Sequence, residues 1–170
     1  MDMQIVRRGT PPPPPWGDDI PYYWEGEEFF ARTGGWVVGV QQEGSTATKE
    51  IDHLILFARG TASTSSQVSF TTDNKVNLSN ISILYIDWEN TGDNSTSNSS
   101  RFLVGNTKDS TSGEFETRIV VERNFARKID ILDVSSLNGE YYIRVFTNDS
   151  TGTSNPVDSE TKVYRVWGEK

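Results

Sequence analysis

The chain has 170 residues, 34% of them apolar, no cysteine, a single histidine and a net charge of −8. Without thiols there are no disulfide scaffolds, thiolate metal sites or cysteine nucleophiles. The excess of acid opposes partners that present phosphates to clustered Lys and Arg, so neither nucleic acid nor an anionic membrane surface is expected. Length admits one sandwich-sized domain and an appendage, and the abundance of Ser, Thr, Asn and Gly suits a sheet protein with polar loops.

Residues Met1 to Thr10 hold no apolar run of signal-peptide length, and no later segment nears the ~20 residues of a membrane span. A soluble product made in the cytosol is expected. Six of the seven prolines lie before Thr33. Pro11, Pro12, Pro13, Pro14 and Pro15 are consecutive and predict a polyproline II spacer of about 15 Å, at roughly 3.1 Å per residue. Trp16, Tyr22, Tyr23, Trp24, Phe29 and Phe30 follow with neither strand nor helix periodicity. Disordered segments are poor in aromatics because exposed rings are unfavourable in water. Residues 1–33 are therefore expected to form an anchoring arm that buries its rings in a partner or another copy of the chain, with a plain tail as the alternative.

Gly34-Gly35 marks the start of a second region, residues 34–170. Trp36 to Gln42 predicts a first strand and Glu43 to Thr48 a polar turn. Lys49 to Phe57 predicts a strand apolar on both faces, as expected within a sheet or at a subunit contact. Gln67 to Thr71 and Ile81 to Glu89 predict further strands, the latter with Leu84, Ile86 and Trp88 opposite Ile83, Tyr85 and Asp87. Arg101 to Gly105 and Phe115 to Glu122 predict a hairpin across a Ser/Thr/Gly loop.

The stretch from Ile129 to Phe146 organises the rest. Ile129 and Ile131 share one face and Asp130 and Leu132 the other. Farther on, Tyr141, Ile143 and Val145 oppose Tyr142, Arg144 and Phe146, the period of two that marks strands. Between them Asp133 can cap a short turn, Leu137 can plug the core, and Asn138-Gly139 tolerates positive φ. A last strand spans Thr161 to Trp167. Eight or nine short strands with no convincing amphipathic helix predict an all-β fold, a two-sheet antiparallel jelly-roll sandwich carrying an extended Pro-rich N-terminal arm.

The runs LDVSSLNGEYYIRVF, VNLSNISILYIDWENTG and KVYRVWGE together resemble the jelly-roll module of small tail or virion-surface proteins of bacteriophages of Gram-positive bacteria. They are also similar to the galactose-binding-like sandwiches of carbohydrate-binding modules. The resemblance covers about Trp36 to the end and consists of strand and turn signals, so it implies fold before activity.

Catalytic chemistry is scarce. His53 falls mid-strand among apolar residues, where a packed or hydrogen-bonded imidazole is expected, and no serine sits in a nucleophile-elbow pattern. Asp87 and Glu89 are two apart on one strand face, near the lower limit for a paired-acid glycosidase, yet such pairs recur on polar strand faces. Asp73, Asn74, Asp93 and Asn94 supply loop oxygens without the spacing of a calcium loop. The expectation is no catalytic residue, no cofactor and no metal.

Sugar binding by a sandwich needs aromatic faces and planar polar groups. Tyr85 and Asp87 on one strand, Tyr142 and Arg144 on another, and Arg118 and Glu122 on a third form a candidate glycan face; the alternative is ordinary solvent-facing cross-strand pairs. Two functions follow as expectations. One is a virion structural protein of tail, baseplate or capsid surface, gripping other virion proteins or its own copies through the arm and touching host cell-wall glycan with the sandwich. The other is a free, lectin-like carbohydrate-binding module.

Overall fold

The computed structural model describes residues 35–50, 53–60, 64–92, 98–108, 116–149 and 158–169. The five consecutive prolines and the six rings of the arm lie outside them. Eleven strands are described: β1 (Trp36–Gln41), β2 (Ser45–Lys49), β3 (Leu54–Ala58), β4 (Ser66–Thr72), β5 (Val76–Asn77), β6 (Ile83–Thr91), β7 (Asn98–Gly105), β8 (Glu116–Glu122), β9 (Phe125–Asp133), β10 (Glu140–Asp149) and β11 (Ser159–Glu169). They form two antiparallel sheets. One runs β1-β4-β10-β7-β8, with β5 pairing beside β10; the other runs β2-β3-β11-β6-β9. This is the expected all-β sandwich.

The core lies between the sheets. Phe70, Phe102, Ile143 and Val145 from the first sheet meet Leu54, Leu56, Leu84, Ile86 and Trp88 from the second, all fully buried. Trp36 joins them at 0% exposure. Burying a side chain of this size contributes roughly 1.5–3 kcal/mol, so the faces that carry them are fixed inward. Toward one end the core changes character. Thr161 on β11 sits 2.7 Å from Ser100 on β7 and accepts from Thr147 on β10 at 2.5 Å, while Asn90 donates to Ser159 and Thr161. Hydroxyls here hydrogen-bond across the gap between sheets, satisfying one another where water is excluded.

The corner from β9 to β10 forms as expected. The Asp133 carboxylate accepts from the Ser135 amide at 2.9 Å, Leu137 is 7% exposed, and Gly139 has φ +113°, where a Cβ would be strained. The corner carries the chain from the edge of one sheet to the middle of the other.

Two elements differ from expectation. Ser45–Lys49 is a strand where a turn was predicted, and Lys49 pairs with Leu54 as the last residue of β2. The predicted strand from Lys49 to Phe57 is therefore divided: β3 begins at Leu54, and the chain reverses before it. The reversal into β2 is tighter than predicted. It closes through the Ser45 amide donating to the Gln42 carbonyl, with Gly44 at φ +78° and no room for a Cβ beside the Arg59 carbonyl. Ser and Thr fit β2 because it is an edge strand, with one face and one side open. The two-residue β5 was also unforeseen, being too short to show alternation.

Candidate functional site

Each sheet has an outer face, and the two tyrosines of the expected glycan platform lie in different sheets. Tyr85 and Asp87 point outward from β6 in the five-stranded sheet, opposite in phase to the core residues Leu84, Ile86 and Trp88. Tyr142 and Arg144 lie on β10 in the other sheet, out of phase with the core residues Ile143 and Val145. Glu122 on β8 pairs with Ser100, which lines the interior, and the Arg118 side chain lies outside those described. The alternation that groups each pair cannot say which sheet a strand joins, and that is where the single platform fails.

The outer face of the five-stranded sheet is a closed network. Asp87, 3% exposed, is held in a two-pronged pair by Arg127, Nε at 2.9 Å and Nη2 at 2.8 Å. The bond to Asp87 is the main reason the Arg127 pKa is raised. The Arg127 guanidinium stacks 3.7 Å from the centre of the Tyr164 ring. The Tyr164 hydroxyl donates to Glu89 at 2.8 Å; burial first, then that bond, pushes its pKa up to about 12. Tyr85 stacks on Trp167 at 5.0 Å and donates to Glu169 at 2.5 Å, a bond that raises its own pKa. Both carboxylates of the sequence-level acid pair thus spend their oxygens on neighbours. His53 lies beside this network, its ring 5.5 Å from Tyr164. A β-bulge between Val163 and Arg165 sets Tyr164 and Arg165 side by side on this face.

The outer face of the six-stranded sheet is different. Ser69, Thr71, Arg144 and Asn148 are polar, face away from the core, and are nonetheless at most 8% exposed. Part of the cover is residues 106–108, which follow β7 and cross β10 and β4. The Lys108 carbonyl lies 3.0 Å from where a Cβ on Gly39 would stand, and its ammonium reaches Asp73 at 2.5 Å. Tyr142 is half-buried at the rim, with the ammonium groups of Lys75 and Lys108 at 5.7 and 6.0 Å from its ring centre. Arg101 lies over Phe146 at 5.5 Å. Hydrogen-bonding capacity is left unspent: Thr71 Oγ1, Gln67 Oε1 and Arg101 Nε are buried with no hydrogen-bond partner. Unpaired buried polar atoms cost roughly 1–3 kcal/mol each, and such costs concentrate where function needs them. In a chain of net charge −8, this face gathers Lys75, Lys108, Arg101 and Arg144 against Asp73 and Glu140.

Sequence reasoning reached Tyr142 and Arg144 and missed Thr71, which strand pairing sets opposite Arg144, and Lys75 and Lys108, which the segments before β5 and after β7 bring to the Tyr142 ring. Arg127 was also missed, although its alternation with Ile129 and Ile131 is visible in the sequence. Among the described residues no group of three or more His, Cys, Asp or Glu is arranged to hold a metal ion.

No protein-family model matches the chain, and no curated protein matches it in sequence. Solved structures do match in fold. The carbohydrate recognition domain of Emp46p in its potassium-bound form is 8% identical, with 86% of this chain and 95% of that one covered, at a TM-score of 0.52. The corresponding domain of Emp47p is 10% identical, with 88% and 96% covered, at 0.49. A family 11 carbohydrate-binding module from Clostridium thermocellum, in complex with a mixed-linked tetrasaccharide, is 11% identical, with 78% and 87% covered, at 0.44. At these identities the likeness is one of fold alone: the chain is a two-sheet sandwich, as the Emp46p domain is. Nothing in the comparisons bears on a virion origin.

Proposed function

We propose that the protein is a carbohydrate-binding sandwich whose ligand meets the outer face of the six-stranded sheet at Tyr142. The observation that carries this is a half-buried tyrosine ring flanked by the ammonium groups of Lys75 and Lys108. A pyranose needs an aromatic surface for its C–H face and planar donors for its hydroxyls. Tyr142 supplies the first, and the donors beside its ring are the ammonium groups of Lys75 and Lys108. Lys75 and Lys108 at the rim favour glycans that carry acidic groups. The opposite sheet spends its carboxylates and guanidinium groups on one another and is the poorer receptor. The role proposed is binding, with no chemical step.

The fold likeness to carbohydrate recognition domains supports this reading by analogy of architecture. Display of such a module on a virion through residues 1–33 is a wider assignment that rests on residues outside those described. No observation on the described residues favours it over a free module.

The test is retention on immobilised cell-wall polysaccharides and on a glycan array, with one variant from each face. Tyr142→Ala should lose binding by about tenfold or more, the worth of one stacked ring with its polar neighbours. Tyr85→Ala should leave it unchanged. The reverse order, or wild-type protein that retains no glycan, overturns the assignment.

A further inference from the structure

Among the described residues, the four exposed large apolar side chains all stand on edge strands: Val38 on β1, Val121 on β8, and Ile129 and Ile131 on β9. The last two are the most exposed of all, at 49% and 57%. They are neighbours on one face of one strand, opposite Asp87 and Tyr85 of β6. Among the described strands β9 has a single sheet partner, so alternate amides and carbonyls along it point away from that partner. An open edge beside exposed isoleucines is the arrangement that strand pairing with another chain completes.

The sequence of that edge is complementary to itself in one register. Pairing about a two-fold axis keeps outer-face residues opposite outer-face residues, because side chains alternate with period two. Three registers then centre on this stretch. Centring on Asp130 sets two like charges face to face, which is destabilising. Centring on Ile131 sets Ile129 against Asp133 and Asp130 against Leu132. Centring on Ile129 sets Lys128 against Asp130 of the second copy, twice by symmetry, and brings the two Ile129 side chains together. Lys128 already lies among acids at the open edge, 2.9 Å from Glu122 and 3.2 Å from Asp130.

We propose that β9 pairs edge to edge with β9 of a second copy in the register that sets Ile129 opposite Ile129, making one continuous sheet across the two chains. The alternating Lys128 and Asp130 select that register, and the two Ile129 side chains supply the apolar contact, with Ile131 opposite Arg127 of the second copy.

A chain without cysteine makes the test direct. Full-length wild-type protein should sediment at twice the 19.1 kDa of one chain. The double variant Ile129→Lys with Ile131→Lys should sediment as a single chain while keeping its strand circular dichroism and its melting transition. Under mild oxidation, Ile129→Cys should cross-link to itself about tenfold faster than Thr46→Cys on the opposite edge strand, because directly paired residues fall within disulfide reach. The proposal is overturned if wild-type protein sediments as one chain, if the double lysine variant stays assembled, or if the two cysteine variants cross-link at equal rates.

Discussion

Ile143 and Val145 in β10 are fully buried, whereas Ile129 and Ile131 in β9 are 49% and 57% exposed, although both strands alternate apolar and charged residues in the same way. The charged partners are exchanged too. Arg144 of β10 lies on the outer face, while Asp130 of β9 lies on the inner side and accepts from Trp88 Nε1 at 2.8 Å. β10 is flanked by β4 and β7, so its inner face has neighbours on both sides to pack against. β9 has only β6, and its inner side sits at the margin of the core, where Leu132 and the Trp88 ring fill the space and a carboxylate reaches a donor. Alternation divides a strand into two faces; position in the sheet decides which of them the core takes.

The largest expected break in this contrast is Ile143→Asp, which places an unpaired acid in the core and should cost about 4 kcal/mol or more, read as a collapse of the urea midpoint. Next is Arg127→Ala, which leaves the 3% exposed Asp87 without its cation. Because Arg127 is itself 42% exposed, the expected loss is about 2 kcal/mol, below that for a fully buried pair. Adding Asp87→Asn should recover part of that loss, whereas a defect of mere packing would not be recovered. Trp88→Phe keeps most of the buried ring and removes the bond to Asp130, for about 1 kcal/mol by the same measurement. Ile131→Ser, chemically as severe as many core changes, should shift the stability of the single chain by no more than about 0.5 kcal/mol. A loss of several kcal/mol there would mean that β9 is as central as β10.

A spectroscopic prediction sharpens the account of the outer network. With the Tyr164 phenol raised in the folded chain to about 12, its contribution to stability is complete below the ordinary tyrosine value near 10 and is lost as pH rises through 12. Ultraviolet titration of the folded protein should show a late-ionising tyrosine that is absent from Tyr164→Phe. If all six tyrosines ionise together, the burial and the Glu89 bond assigned to Tyr164 are wrong.

Much of the fold was legible. The period-two runs in β6, β10 and β11, the capped turn at Asp133 and the left-handed Gly139 are local features, and local features survive folding unchanged. β2 was not legible, because its Ser and Thr read as turn residues until β3 pairs with them. The candidate site was less visible still. Tyr142 and Arg144 show as a polar face of one strand, but Thr71 comes from β4, set opposite Arg144 by a pairing of residues far apart in the chain, and Lys75 and Lys108 reach the Tyr142 ring from outside the strands. No spacing rule in a single sequence records such partners.

By itself, then, the order of residues determined most of the strands, their two faces and the closing corner, because each of these depends on neighbours a few positions apart. Tertiary structure alone decided that Tyr85 and Tyr142 belong to different surfaces, that Asp87 is tied to Arg127, and that two isoleucines stand in water on an open edge. Those outcomes depend on which strands pair and in what order, and pairing is a long-range choice made by the burial of the chain as a whole.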